Sequence, residues 1–329
     1  MSLKFLSSLL RKKNQLKPTV LFHRDYLRFQ GGHLKVFHYF QHLQNSDAYL
    51  PKIYFTEQSI QDQDNPWSGL DSLATWQPTE TNILFLAGLD WQAVLAHPEF
   101  LQQRTKIPVI NLIQGLSHAE PEDSKYAFLS EPAIRICVSE QVSKAIQATG
   151  QVNGPVFTIP NGIDLASLPK PLAINEKDLD LLIVANKKPV LGLALEQTLT
   201  GSYNKIHTIH QLTPRFEFLQ LLNRAKMVVC LPHLAEGFYL PALEAMALGA
   251  LVICPDCRGN RSFCIDQQTC LRPEYETSAI LAAIQQAKSF NEQHRRALLT
   301  RAKQQVAQHS LEQEAKQFLA IMRDIPQLW

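Results

Sequence analysis

Glu236-Gly237-Phe238-Tyr239-Leu240-Pro241-Ala242-Leu243-Glu244-Ala245-Met246-Ala247-Leu248-Gly249 reads as a loop that turns straight into a helix. Pro241 sits where a first-turn proline is tolerated, and Gly249 where helices commonly stop. Amides near Gly237 and Phe238 then lack intrahelical partners, and with the positive end of the helix dipole they form a seat for a phosphate. Glu236 and Glu244 bracket that seat with seven residues between them. Glu244 falls about one turn past Pro241, where its carboxylate can accept two hydrogen bonds from a vicinal diol such as a ribose. A lone glutamate in an early helical turn is otherwise a solvated partner of the dipole.

The whole string, an acidic-Gly-Phe turn, Leu-Pro, then Leu-Glu-Ala-Met-Ala and a glycine, closely resembles the nucleotide-sugar motif of GT-B glycosyltransferases of the retaining, glycogen-synthase-like group (family 4). That resemblance implies an α/β fold of two Rossmann-like, doubly wound parallel-sheet domains facing each other across a cleft. It implies an N-terminal acceptor-side domain over residues 1–168, a nucleotide-sugar-binding domain over 169–309, and a terminal helix over 310–329 that crosses back. The activity implied is metal-independent transfer of a sugar from a nucleotide-diphosphate-sugar donor to an acceptor hydroxyl, with retention and with no cofactor. On this scheme Glu244 holds the ribose, Glu236 the donor sugar, and the backbone of Gly237, Phe238, Tyr239 and Leu240 the diphosphate.

Working backwards from the motif, Met227 to Leu231 reads as the strand that feeds it and Ala250 to Cys254 as the strand that follows. Leu181 to Ala185 and Ile206 to Ile209 are further apolar runs, with a helix expected over Pro214 to Arg224. Asn186-Lys187-Lys188-Pro189 follows the first of these runs, where two ammonium groups suit a departing diphosphate. The family places a glycine, an arginine and a later lysine at this corner. Here Asn186 stands in the arginine's register, so Lys187 or Lys188 must supply the charge; solvated loop lysines are the alternative. Tyr239 also departs from the pattern, replacing the usual glycine, and leaves donor identity open. Ala242, Ala245 and Ala247 are small enough for close packing of the motif's helix on the sheet.

In the first half, Thr19 to His23 reads as a buried strand leading into a polar turn that ends in Gly31-Gly32, then a helix marked by Leu34, Phe37, Phe40 and Leu43. A Gly-Gly pair lets a ligand approach backbone closely, and is equally an ordinary turn. The family's first-strand glycine loop faces the donor diphosphate from this position. Strands follow at Lys52 to Phe55, Asn82 to Ala87, Pro108 to Ile113, Ile134 to Val138 and Val156 to Ile159. Alternation of strand and helix implies a parallel sheet with ligands beyond the strands' carboxyl ends.

After the fourth strand two residues compete for a donor contact that relatives make with a histidine. Gln114 stands in strict strand-end register, and His118 is the nearest histidine, four residues late; an exposed loop histidine without a role is the alternative. Ser139 reads as a helix N-cap. Ile159 to Asp164 resembles the segment that ends the family's first domain, with a proline-stiffened linker over Ala166 to Asn175. Ser310 and Gln313 form a capping-box pattern ahead of an apolar stripe.

A chain of 329 residues with 45% apolar content supports two cores, and a net charge of +2 offers no reason to expect a nucleic-acid polymer as partner. Six cysteines without a signal peptide point to free thiols in a cytoplasmic setting. Cys254, Cys257, Cys264 and Cys270 are spaced poorly for zinc, and no metal is expected. Residues 1–17 interleave Leu3, Phe5, Leu6, Leu9 and Leu10 with basic residues. The pattern fits a packed terminal helix or a peripheral contact with the inner face of the membrane. The acceptor expected is a glycan or a lipid-linked sugar. Rival readings are a silent GT-B module that binds nucleotide or carbohydrate, a sugar-nucleotide epimerase, and a phosphorylase.

Overall fold

The computed structural model describes residues 17–329, so the apolar and basic pattern over 1–16 lies outside the described residues. Among the described residues no helix is long and apolar enough to cross a membrane.

Each apolar run forms a strand. Six build the first sheet: β1 (Thr19–Arg24), β2 (Leu50–Phe55), β3 (Ile83–Ala87), β4 (Val109–Ile113), β5 (Ile134–Cys137) and β6 (Val156–Thr158). Four build the second: β7 (Leu179–Val184), β8 (Ile206–Ile209), β9 (Ala225–Cys230) and β10 (Leu251–Ile253). All pairings are parallel, in the orders β2-β1-β3-β4-β5-β6 and β10-β9-β7-β8. β3, β4 and β5 are buried on both faces, as parallel strands covered by helices must be.

Helices cover both faces: α1 (Gly31–Ser46), α2 (Asp90–Leu95), α3 (Pro98–Gln103) and α4 (Glu140–Ala148) on the first sheet, then α5 (Pro189–Leu199), α6 (Arg215–Arg224), α7 (Leu240–Ala247), α8 (Thr277–Ser289) and α9 (Glu292–Ala307) on the second. The last helix, α10 (Leu311–Leu328), leaves the second lobe and packs on α1, where Phe318 meets Tyr39 edge-on at 4.8 Å between ring centroids. Ser139 caps α4 through the Val142 amide, and Ser310 caps α10 through the Gln313 amide.

The topology dictates where a ligand can sit. The chain leaves β1 for β2 on one side and returns to β3 on the other; in the second sheet it leaves β7 for β8 and returns to β9. These reversals open crevices beyond the carboxyl ends of β1/β3 and β7/β9, and the two crevices face each other.

Two strands of chain connect the lobes, and they run side by side. The Ile163 amide donates to the His309 carbonyl at 2.9 Å, and a Cβ on Gly162 would lie 2.5 Å from the Ser310 carbonyl oxygen. A buried ionic cluster pins this crossing. Lys35 on α1 donates to Glu314 on α10 (2.5 Å), to the Gly162 carbonyl (2.8 Å) and to His38 (3.0 Å), while His42 and the Gly162 amide also bind Glu314, at 2.9 and 2.6 Å. Burial disfavours the charge on Glu314, but Lys35 and His42 outweigh it and hold the carboxyl below its usual range.

Candidate active site

The motif loop runs from the end of β9 to α7, and α7 begins at Leu240 with Pro241 in its first turn. Gly249 adopts φ +75°, the left-handed conformation that ends a helix without strain in glycine. Ala242 and Ala245 are buried against the sheet, whereas Ala247 is only half-buried.

Lys187 leaves the C-terminal end of β7, and Glu236 follows β9, so both flank the switch point of the second sheet. Their side chains form an ion pair, and Lys187 also lies 5.6 Å from the Tyr239 ring centroid. The His233 amide donates to the same carboxylate at 3.3 Å. Lys187 is therefore paired, with 34% of its side chain exposed. Lys188 stands immediately before α5 and has no ion-pair partner among the described residues.

Glu244 is 1% exposed, and Arg215 at the start of α6 donates to both its oxygens, at 2.9 and 2.5 Å. The guanidinium also lies 5.9 Å from the ring centroid of Phe29, which belongs to the first lobe. Burial weakens the Arg215 charge, but Glu244 outweighs it and raises its pKa. Sequence reading missed Arg215. Its only local mark is a position just after Pro214 at a helix start.

Tyr239 points inward. It is 1% exposed, its hydroxyl has no hydrogen-bond partner among the described residues, and its amide donates to Gly259 at 3.0 Å. Cys230, Cys254 and Cys257 are near enough to raise its pKa further beyond what burial does. All six cysteines are free and buried, and among the described residues no group of three or more His, Cys, Asp or Glu is arranged to hold a metal ion. Arg258 is exposed, whereas Asn260 is buried and spent on Cys254, Cys257 and the Pro255 carbonyl.

The first lobe meets this loop directly. Gly31 and Gly32 are the first residues of α1 and not the end of a turn; helix geometry begins earlier than the glycine pair suggests. Gly31 faces Leu240, and the Gln114 side chain donates to the Gly32 carbonyl at 3.0 Å. A Cβ on Gly237 would overlap the carbonyl oxygen of Gln114, so the two backbones touch across the cleft. Phe238 packs against His309 at the crossing, 5.5 Å between centroids.

His118 is not the exposed loop histidine of the alternative reading. It lies in a short 3₁₀ turn over Leu116–Ala119, is 4% exposed, and donates from Nδ1 to the Gly115 carbonyl at 3.1 Å. Its Nε2 has no partner among the described residues, and burial pushes its pKa down to about 4, so the ring is neutral near pH 7. Gln114, in strict register, is the residue that touches the glycine pair.

Residues 161–289 match the sequence profile of a family described as "Glycosyl transferases group 1". The comparison with curated protein sequences gives no match. Among solved structures, the chain is similar to a sucrose-phosphate synthase from Thermosynechococcus elongatus (14% identity, 94% of this chain and 99% of that one, TM-score 0.69). It is similar to a glycosyltransferase from Rickettsia africae (13%, 94% and 99%, TM-score 0.70). It is also similar to Anabaena HepE in complex with UDP-glucose (13%, 93% and 100%, TM-score 0.72). At these identities the likeness establishes the fold, and the fold is GT-B, two Rossmann-like lobes across a cleft.

Proposed function

We propose that the protein is a glycosyltransferase that moves a sugar from a nucleotide-diphosphate-sugar donor to an acceptor hydroxyl, with retention and without a metal ion. One observation carries the reading. The loops at the β7/β9 switch point bring Lys187, Glu236 and the start of α7 together against Gly31, Gly32 and Gln114 of the facing lobe. The glycosyltransferase profile over 161–289 and the UDP-glucose held by the similar HepE support a nucleotide-sugar as the donor.

In this reading Glu244 receives the ribose diol, and Glu236 a hydroxyl of the donor sugar. The Gly237 to Leu240 backbone and Lys187 receive the diphosphate, with Lys188 beside it. The C1–O bond to the diphosphate breaks while the acceptor oxygen attacks C1 from the same face, and the acceptor proton passes to a phosphate oxygen of the leaving group. Lys187 and the loop amides stabilise the charge that develops there. The acceptor, a glycan or a lipid-linked sugar, approaches from the first lobe, and residues 1–17 supply a segment suited to an anionic membrane surface on the cytoplasmic side.

Purified protein offered UDP-, GDP- and dTDP-sugars should hydrolyse one of them slowly, in the presence of EDTA. Binding without release from any donor would leave a silent nucleotide-binding module.

A further inference from the structure

The second lobe carries another pocket, at the opposite end of its sheet from the cleft. About 270 Å³ of space opens between Asp180, Tyr203, Lys226, Lys288 and Arg295. Asp180 and Lys226 are the second residues of β7 and β9, whereas the cleft loops leave the far ends of the same strands. At about 3.3 Å per residue, the two sites lie roughly 15 Å apart along the strands.

Three cations meet one carboxylate here. Lys226 bonds Asp180 at 2.8 Å. Lys288 donates only to the Ser202 carbonyl, at 2.8 Å, and rests 4.8 Å from the Tyr203 ring centroid. Arg295 reaches only the Ala287 carbonyl, at 3.4 Å. Neither Lys288 nor Arg295 has a carboxylate partner among the described residues. Asp178 on the same edge is not spare, since it already serves Arg224 at 2.8 Å and Lys205 at 3.6 Å. The Tyr203 hydroxyl is buried without a hydrogen-bond partner among the described residues, and Arg295 and Asp180 are the charges that act on it. A buried hydroxyl left unmatched among unneutralised cations is a donor waiting for an acceptor.

We propose that this pocket binds the phosphate dianion of a small phosphomonoester, held by Arg295, Lys226 and Lys288 with the Tyr203 hydroxyl as a further donor. A dianion matches the excess of cations over carboxylate. A tetrahedral phosphate offers acceptors to donors arriving from β9, the end of α8 and the start of α9, which a planar carboxylate does less well. The pocket exceeds the volume of a phosphate, so a small organic body fits beside it. The assignment is independent of the chemistry in the cleft.

Calorimetric titration of the full chain with inorganic phosphate and with glycerol 3-phosphate tests it, glycerol being the control. One equivalent of phosphate or its ester should bind at low salt, and glycerol should not. Arg295→Gln alone, and Lys226→Gln/Arg295→Gln together, should weaken binding by about tenfold or more, while a far-ultraviolet spectrum reports that each variant is folded. Lys187→Gln should leave phosphate binding intact, because that residue belongs to the cleft. No binding to the wild type, binding that survives in the double variant, or binding lost in Lys187→Gln overturns the proposal. So does binding only to vesicles containing phosphatidic acid, which would make the surface a lipid contact.

Discussion

Arg215 holds both carboxylate oxygens of Glu244, Nη1 to Oε2 at 2.9 Å and Nη2 to Oε1 at 2.5 Å. With Glu244 only 1% exposed, a ribose diol reaches that carboxylate only by sharing it with the guanidinium or displacing it. Because Arg215 also stacks on Phe29 of the other lobe, the exchange couples donor entry to lobe contact. Breaking a largely buried pair strands a charge, so Glu244→Met and Arg215→Met should each cost about 3 kcal/mol in denaturant unfolding. The double variant should cost clearly less than the sum. In binding, Glu244→Ala should weaken a ribonucleoside diphosphate by about tenfold or more and leave its 2′,3′-dideoxy analogue unchanged. Equal losses for both nucleotides would remove Glu244 from the ribose.

Strands such as β3 and β4 were legible because buried parallel strands read as nearly unbroken apolar runs, and the helix of the motif because Pro241 and Gly249 mark its ends. The partners of the site residues were not. Arg215 reaches Glu244 because the order β10-β9-β7-β8 sets α6 beside α7, a relation no local pattern carries. His118 is buried because a 3₁₀ turn over Leu116–Ala119 folds it under Gly115, and turns of that length leave no periodicity to read. Glu314 was readable in principle: it shares a face of α10 with Phe318, Met322 and Ile325, so an acid stands inside an apolar stripe. Its partner Lys35, 279 residues away in the chain, could not be guessed.

Lys187 and Lys188 should separate in turnover. Lys187 already lies against Glu236 in the cleft, while Lys188 stands immediately before α5 with no acidic partner among the described residues. Removing a donor aimed at developing charge typically costs on the order of a hundredfold in kcat. Lys187→Ala should show that loss with the donor found by screening, and Lys188→Ala a loss of about tenfold or less. The reverse order would move the diphosphate to Lys188.

Acid should destabilise the protein in two stages. The His118 ring has a folded-state pKa of about 4 against an ordinary value of 6.5, so the unfolded chain binds a proton first as pH falls between those values. Stability drops through that window, by roughly 3 kcal/mol for a shift of this size. The Glu314 carboxyl is held below its ordinary value of 4.5, so its contribution is present above that pH and is lost as pH falls below it. Unfolding free energies measured from pH 7 to pH 4 should fall less steeply in His118→Gln, the rest of the slope coming from His33, His38 and His309, whose burial lowers their pKa values as well. Glu314→Gln should cost about 3 to 5 kcal/mol at pH 7, because it leaves Lys35 buried and unpaired.

Gly237 tests whether lobe contact belongs to the working cycle. A side chain there would overlap the Gln114 carbonyl oxygen, and it would approach Gly115 as well, so even a methyl group cannot coexist with the observed contact. Both obstacles are backbone of the facing lobe, and neither can rotate aside. The atoms nearest such a side chain, those of Gln114 and Gly115, belong to the first lobe. Gly237→Ala should therefore hold the lobes apart. In turnover, kcat should fall by about a hundredfold, because reacting groups displaced by an ångström lose that much. If kcat instead stays at the wild-type level, the lobes do their chemistry farther apart than they stand here, and the Gln114–Gly237 contact is a resting position.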